Sequence, residues 1–326
     1  MIRPALDRRL FQPESRQSAL AVAYVVTLYA GGLAGAAYLL TQASVVALLA
    51  CVPAALAAFG LFLHGVLGHE GFHFNLARDR LASCTLGVLV SSVLSGFCVT
   101  GYAVDHWSHH RLNNASNDPD LRLFSRYRGL FGRLVLSRLA ATARYACLTA
   151  RLAAGDHTLA AAVPIKPASL ITLARLNLMT QTGWIILHLI AAQRFPGLLI
   201  AWPLCLMMVV LISGLNSYQE HAFTQEQPNV PARSRSSVIC SLLYMGSNFH
   251  LEHHLYPGIA CWRLPGVHRQ LQAAGWYSDK SHWVETGFFH SFRFAQRRYA
   301  YAPKRIGDTP PVPSTHDNIQ GNDHVT

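Results

Sequence analysis

The chain has 326 residues, of which 51% are hydrophobic and 13% are charged, and its formal net charge is +11. Soluble domains carry roughly 25% charged residues, so this deficit, concentrated in long uncharged stretches, favours membrane spans over an oily soluble core. No arginine cluster is interleaved with aromatic residues as in nucleic-acid-binding modules, so the basic charge does not predict nucleic acid as a partner. The seven cysteines form no CxxC pair, which excludes a disulfide framework and a zinc finger.

Four apolar stretches are each close to the roughly 20 residues that a helix needs to cross the hydrocarbon core of a bilayer. In chain order they lie near residues 19–41, 45–66, 173–192 and 196–215. Short links join the first to the second and the third to the fourth, which predicts two helical hairpins. A further apolar run at 81–104 is expected to be buried or re-entrant, because a crossing there would separate the histidine clusters across the membrane.

Most of the basic residues lie outside the apolar stretches, and the two exceptions are Arg175 at the edge of the third stretch and Arg194 in the link after it. Of the 27 Lys and Arg residues, four fall in 1–18, eleven in 67–168 and ten in 216–326. By the positive-inside rule, this distribution places both termini and both long loops in the cytoplasm. The predicted fold is therefore all-α: an integral membrane protein with about four transmembrane helices and a cytoplasmic helical cap, in a single domain over 1–302. Residues 303–326 are rich in Pro, Asp, Asn, Gly and Thr and are predicted to be a disordered tail.

Eight histidines fall into three tight groups. The groups are His69 and His73; His106, His109 and His110; and His250, His253 and His254. On a helix, spacings of three and four residues place side chains on one face, where two imidazoles can chelate one metal ion. A single HxxxH pair often serves core packing, but three such groups on one side of the membrane favour a metal centre. Eight nitrogen ligands are too many for one tetrahedral zinc ion, so two metal ions with open positions fit better.

The spacing alone does not select the metal, because imidazole suits zinc, iron, copper and nickel. The membrane setting indicates an apolar substrate. Unactivated C–H bonds of such a substrate need a redox-active metal and dioxygen rather than a Lewis-acid zinc ion.

The order HxxxH, HxxHH, HxxHH, with two apolar spans between the second and third groups, resembles the membrane fatty acid desaturase and hydroxylase superfamily of histidine-box proteins. The run Asn117-Asp118-Pro119-Asp120 after the second group, and Asn248 and Leu255-Tyr256-Pro257 around the third, are similar to its signatures. The resemblance covers about residues 45–272. It implies that the eight histidines bind two non-haem iron ions, and that a ninth histidine after the last span joins them.

His221 holds the place of that ninth histidine. Acyl-CoA desaturases carry an asparagine four residues before it, whereas here Ser217 has that position and Asn216 lies one residue earlier. This departure argues against an acyl-CoA-type assignment.

Histidines that bind metal usually donate their second N–H to a carboxylate or carbonyl group. The carboxylates near the histidine groups are Glu70, Asp105, Asp118, Asp120, Glu220 and Glu252. Asp105 and Glu252 lie inside or beside a group, so we expect these two to orient ligands, with an ordinary surface charge as the alternative for each. His64, about 140° around a helix from His69, and Asn248 are further candidates for this supporting role. His188, in the middle of a span, predicts an interhelical hydrogen bond.

The resemblance implies an O2-dependent oxidoreductase that introduces a double bond into a fatty acyl or similar lipid-like chain. The acyl substrate could be held in the membrane, on CoA or on a carrier protein. The chain has no electron-carrier motif of its own, so a separate ferredoxin or cytochrome b5-like donor is expected. A carotenoid ketolase or hydroxylase, or another membrane C–H hydroxylase, is the alternative. A metal transporter is disfavoured, because transport sites lie near the bilayer midplane and these groups lie beyond the span ends.

Overall fold

The structure is a computed structural model that describes residues 4–42, 44–224, 231–278 and 283–285. The predicted tail at 303–326 lies outside the described residues, as does the end of the predicted domain at 1–302. Within the described residues the chain is mostly helical, as the sequence predicts. The α-helices are α1 Ser15–Leu39, α2 Ser44–Ala47, α3 Cys51–Phe72, α4 Arg80–Ser91, α5 Val99–Leu112, α6 Pro119–Phe124, α7 Gly129–Phe131, α8 Ser137–Ala153, α9 His157–Ala160, α10 Pro167–Arg194, α11 Leu198–His221, α12 Val238–Leu243, α13 His250–Leu255 and α14 Leu264–Ala273.

Two strands of two residues each depart from the all-α prediction. β1, Ser234–Arg235, pairs in parallel with β2, Val284–Glu285. The strands are too short to show in the pattern of apolar residues, because a period of two needs at least four residues to be recognised.

Three helical segments are long and apolar enough to cross a membrane: Ser15–Leu39, Val45–Phe72 and Leu198–His221. Their mean hydropathies are 1.7, 2.5 and 2.5, and they match the predicted spans near 19–41, 45–66 and 196–215. Large apolar side chains on their outer faces are exposed, among them Leu20, Leu199 and Met207. This apolar exterior is what lipid contact requires, so the three segments indicate a membrane protein.

The fourth predicted span, 173–192, is helical within α10 but is not among these three segments. Polar residues on its buried face lower its hydropathy. Asn177 accepts a hydrogen bond from the backbone N–H of Thr100 (3.3 Å), and Gln181 donates one to the carbonyl of Phe97 (2.5 Å). These contacts fix α10 against the turn that leads into α5, and the count of four spans stays a prediction.

Small residues allow α1 and α3 to pack closely. A Cβ atom on Gly32 would lie 2.6 Å from the backbone nitrogen of Ala57, and one on Gly60 would lie 2.6 Å from that of Tyr29. Such close approach of two backbones is common where helices associate within a membrane. The hydroxyl of Tyr29 also hydrogen bonds to His188 of α10, which is the interhelical bond that the sequence predicts for this histidine.

The apolar run at 81–104 forms a helix, a turn and the start of a second helix. α4 has 12 residues, fewer than the roughly 20 that span a bilayer. A Cβ atom on Gly71 would lie 2.6 Å from Gly87, and one on Gly68 would lie 2.7 Å from Ser91, so α4 runs antiparallel to the end of α3. α5 then returns and brings the second histidine group beside the first.

Candidate metal centre

The ends of four helices carry the predicted ligands. His69 lies in the last turn of α3 and His73 follows that helix; His106, His109 and His110 lie in α5; His221 is the last residue of α11; and His250, His253 and His254 lie in α13. The structure brings all nine together into two adjoining sets.

We name the first the five-histidine set. It comprises His69, His73, His106, His110 and His253, whose ligand atoms all lie within 4.8 Å of one another. The Nε2 atom of His253 is 3.1 Å from that of His69 and 3.0 Å from that of His110. The Nε2 atom of His106 is 2.9 Å from that of His73 and 3.0 Å from that of His110.

The four-histidine set comprises His109, His221, His250 and His254. The ligand atoms of His109, His221 and His254 lie within 4.8 Å of one another. The Nε2 atom of His250 is 3.0 Å from that of His221 and 3.2 Å from that of His254. His221, which sequence reasoning found only through the family resemblance, therefore lies among the other predicted ligands.

The two HxxHH groups divide between the sets in opposite ways. In α5, His106 and His110 belong to the five-histidine set and His109 to the other, while in α13 only His253 belongs to the five-histidine set. Residues four apart are separated by about 40° around a helix, and a residue three positions on lies about 60° to the other side. Each helix can therefore present a pair of rings to one set and a single ring to the other.

The contacts between ring nitrogens fit bound cations. Two ligands at about 2.1 Å from one metal ion and at right angles to each other are about 3.0 Å apart, and the Nε2 contacts range from 2.9 to 3.4 Å. The Nδ1 atoms of His69 and His109 face carboxylates, which keep the ring proton at Nδ1 and leave a lone pair on Nε2. Converging lone pairs repel each other unless a cation lies between them, so the donor set fits two metal ions.

Glu70 supports the five-histidine set. This carboxylate is fully buried, and its Oε1 atom lies 3.0 Å from Nδ1 of His69. Its Oε2 atom accepts hydrogen bonds from the side chain of Asn75 (2.8 Å) and from the backbone N–H of Cys261 (3.1 Å). Glu70 therefore fixes the ring of His69 and ties the end of α3 to the segment that follows α13.

Asp118 supports the four-histidine set. Its carboxylate oxygens lie 2.9 and 3.0 Å from Nδ1 of His109. The same carboxylate caps the N-terminus of α6 by accepting from the backbone N–H of Asp120 (2.9 Å) and also accepts from that of Asn114 (2.9 Å). Asp118 thus caps the N-terminus of α6 and orients the ring of His109 with one side chain.

Two further side chains contact rings of the four-histidine set. The Oε1 atom of Glu220 lies 3.4 Å from Nδ1 of His250, and the side-chain amide of Asn113 lies 2.8 Å from Nδ1 of His254. Glu220 is separated from His250 by thirty positions in the chain, so no spacing rule connects them.

Asp105 and Glu252, predicted to orient ligands, make side-chain contacts with other residues in the structure, so their supporting role stays a prediction. Asp105 forms an ion pair with Arg144, and Glu252 accepts hydrogen bonds from His268 (2.5 Å), Ser234 and Tyr277. Glu252 lies two residues after His250 and one before His253, which turns its side chain about 100° or more away from the ligand face, whereas Asp105 lies only about 40° from His109 around α5 and is drawn to Arg144 instead.

The other two supporting candidates also bond elsewhere. His64 donates from Nδ1 to the carbonyl of Gly60 (2.8 Å), within its own helix. Asn248 donates to the carbonyl of Arg235 (2.5 Å) and to the hydroxyl of Ser241 (3.3 Å), so it fixes the loop before α13 rather than a ligand ring.

Burial keeps most of these imidazoles neutral. It holds the pKa well below the ordinary value for His73, His106, His110, His250, His253 and His254. For His109, burial acts in the same direction, but the carboxylates of Asp118 and Asp120 raise the pKa to about 9. Neutral imidazole is the form that binds metal, and a metal ion at Nε2 of His109 would replace the proton that the carboxylates favour.

A pocket opens beside the four-histidine set. His109 and His221 form part of its wall, together with the apolar side chains of Leu121 and Phe124 and the buried Arg133. The lining of this small pocket is therefore partly apolar and partly charged.

Three apolar helices and two adjoining histidine sets together define a membrane protein of a metal-using class. A model of the fatty acid desaturase family matches residues 43–286, about three-quarters of the chain. The protein therefore belongs to the fatty acid desaturase family, and the membership makes it an oxidoreductase of the desaturase and hydroxylase type. A search of curated proteins found no matching sequence.

Proposed function

We propose that this protein is an O2-dependent di-iron desaturase that introduces a double bond into a fatty acyl or similar lipid-like chain. The observation that carries the proposal is the convergence of nine histidines into sets of five and four at the ends of apolar helices. Sets made of imidazole alone, with no thiolate ligand among the described residues, suit iron that must bind and reduce dioxygen.

The five-histidine set would hold one iron ion and the four-histidine set the other. Iron bound there would supply the activation of dioxygen and the removal of hydrogen from an unactivated C–H bond. The overall reaction is balanced when a –CH2–CH2– unit, O2, two electrons and two protons give a –CH=CH– unit and two molecules of water.

The side chains of this protein have three tasks in that reaction. Glu70 and Asp118, and Glu220 at a longer distance, would hold ring protons at Nδ1 and leave the Nε2 atoms free to bind a metal ion. Burial of the rings excludes bulk water, which strengthens the interactions of the carboxylates with them. The small pocket beside His109 and His221 would give a small molecule such as dioxygen access to the four-histidine set.

Electrons and substrate come from outside the chain in this proposal. A ferredoxin or cytochrome b5-like protein would deliver the two electrons, and the net charge of +11 would favour docking of an acidic donor. The acyl chain would enter from the membrane, from CoA or from a carrier protein. Both termini and all histidine groups would face the cytoplasm, where these partners are found.

The test is iron and product analysis of the same preparation. The protein is expressed in a host that makes both unsaturated lipids and carotenoids, and lipids, pigments and purified protein are compared with those of a host carrying an empty vector. We expect two iron ions per chain and new unsaturated acyl chains. Oxygenated carotenoids or hydroxylated lipids as products would show that the protein is a ketolase or hydroxylase rather than a desaturase. A protein that contains no iron and alters metal uptake would show that it is not an enzyme of this kind.

A further inference from the structure

A buried arginine lies behind the four-histidine set. We propose that Arg235 is a positioning residue for this set. The proposal rests on the proposed function, because it requires that the set binds iron. It acts on His250 through a chain of two side chains, Asn216 and Glu220.

The series consists of two hydrogen bonds and one longer contact. Nη2 of Arg235 donates to Oδ1 of Asn216 (2.9 Å), and Nδ2 of Asn216 donates to Oε1 of Glu220 (2.7 Å). The same Oε1 atom lies 3.4 Å from Nδ1 of His250. A primary amide suits the central place, because it accepts with its oxygen and donates with its nitrogen.

The arginine and the glutamate are opposite charges that the amide of Asn216 bridges without a direct contact between them. Arg235 is 2% exposed and Glu220 is 7% exposed, and a buried charge is stable only when an opposite charge and hydrogen bonds compensate it. The guanidinium lies over the ring of Tyr244, 5.3 Å from its centre, and its Nε and Nη1 atoms have no hydrogen-bond partner among the described residues. Its one charge-compensating path within the described residues therefore runs through Asn216 to Glu220.

The backbone of Arg235 fixes the same group of ligands. Its N–H donates to the carbonyl of Asn248 (2.9 Å), and its carbonyl accepts from the side chain of Asn248 (2.5 Å). Asn248 stands two residues before His250, the first residue of α13. Arg235 thus positions α13 through its backbone and orients the ring of His250 through its side chain.

The consequence concerns the direction of a lone pair. A carboxylate 3.4 Å from Nδ1 favours the ring proton of His250 on that side. Nε2 then faces the Nε2 atoms of His221 (3.0 Å) and His254 (3.2 Å). Without Arg235, Glu220 loses the cation that holds it and is free to turn away from the ring.

Arg233 provides a matched control. It is 5% exposed and lies two residues before Arg235. Its side chain pairs with Glu285 (3.2 Å) and donates to the carbonyl of Ala222 (3.1 Å). Replacing it removes a buried charge from the same segment without breaking the side-chain series to His250.

The experiment compares the full-length variants R235Q, E220Q, R235Q/E220Q and R233Q, each loaded with iron. We expect Mössbauer spectra of R235Q to show a changed signal for one of two irons, with iron content near the wild-type value. Turnover should fall about 10-fold to 100-fold in kcat, the range seen when outer partners of metal ligands are lost, with KM within about twofold of wild type. R233Q should lower the melting temperature and leave both iron signals unchanged.

Non-additivity is the sharper readout. If Arg235 acts only through Glu220, the double variant R235Q/E220Q should match E220Q in its spectrum and in kcat. If the losses in kcat of R235Q and E220Q multiply in the double variant, or if the R235Q spectrum is identical to that of wild type, the positioning role is overturned and the iron centre is not. Wild-type protein that binds no iron would instead overturn the proposed function. If R235Q does not fold, R235K, which keeps the charge but lacks the planar fork, should change the same iron signal.

Discussion

The five-histidine set and the four-histidine set differ in what lies behind their rings. Among the described residues, one carboxylate, Glu70, contacts a ring of the five-histidine set. Three carboxylates, Asp118, Asp120 and Glu220, and the amide of Asn113 contact rings of the four-histidine set. Each set also has one ring whose Nδ1 atom has no hydrogen-bond partner within the described part of the chain, His253 in the first and His221 in the second.

This difference indicates that the two histidine sets are not equivalent. A carboxylate behind an imidazole raises the basicity of the ligand and fixes the orientation of its ring. If iron binds as proposed, the four-histidine set, with three carboxylates, would therefore stabilise its more oxidised state more strongly. It is also the set that borders the pocket. The pocket and most of the carboxylates that contact ligand rings therefore lie on the same side of the centre.

The largest expected effect is the loss of a ligand from either set. His253→Ala removes a ring from the five-histidine set and His221→Ala removes one from the four-histidine set, and each should lower turnover by at least about 100-fold. Iron per chain should fall from two towards one, while membrane insertion stays intact. Metal analysis and an activity assay measure both, and the same loss of turnover is expected for His73→Ala and His109→Ala.

The exposed His157 supplies the control for ligand loss. His157→Ala should keep both irons and full turnover. Full turnover in any of the four ligand variants would show that the replaced histidine does not bind metal, and a loss confined to one set would show that the other is not needed.

The second effect compares the carboxylates behind the two sets. Asp118→Asn keeps a residue that caps helices well but removes the charge at His109, and Glu70→Gln removes the charge at His69. We expect each to lower iron affinity or turnover about 10-fold to 100-fold. Iron retained after dialysis against a chelator measures the affinity.

The spectra of these two variants sharpen the comparison. Asp118→Asn should change the signal of one iron and Glu70→Gln that of the other. If both variants change the same signal, the division into sets of five and four is wrong.

The smallest expected effect concerns a carboxylate that faces neither set. Asp105 lies beside His106 in the sequence but pairs with Arg144, whose side chain is 47% exposed. Because solvent screens a half-exposed pair, Asp105→Asn should cost at most about 1 kcal/mol of stability. Turnover should stay within about threefold of wild type, and a 10-fold loss with normal stability would mean that this carboxylate does act on the metal ligands.

Periodicity and composition predicted the parts of the fold that depend on local sequence. The apolar stretches near 19–41, 45–66 and 196–215 form the three candidate spans, because a helix in lipid needs a continuous apolar length and little else. The stretch at 173–192 is harder to interpret, since Asn177 and Gln181 lower its hydropathy while making buried hydrogen bonds to the segment before α5. Contacts of that kind leave no local trace in the sequence.

The supporting residues were only partly predictable. Proximity in sequence favoured Asp105 and Glu252, yet helix geometry turns Glu252 away from the ligand face and Arg144, on another helix, pairs with Asp105. Asp118 could have been preferred, because an aspartate before proline is a typical helix cap that lies a short loop after α5. Glu220 could not, since its partner His250 lies on another helix.

The sequence by itself determined that histidines at spacings of three and four would gather at the ends of apolar helices, because those spacings are fixed by the helical turn. Only the tertiary structure decided how the two HxxHH groups divide, with His106 and His110 in the five-histidine set and His250 and His254 in the other. The two groups have the same pattern and opposite roles. The physical reason is that a helix offers a pair of rings on one side and a single ring on the other, and the packing of α5 and α13 decides which side faces which set.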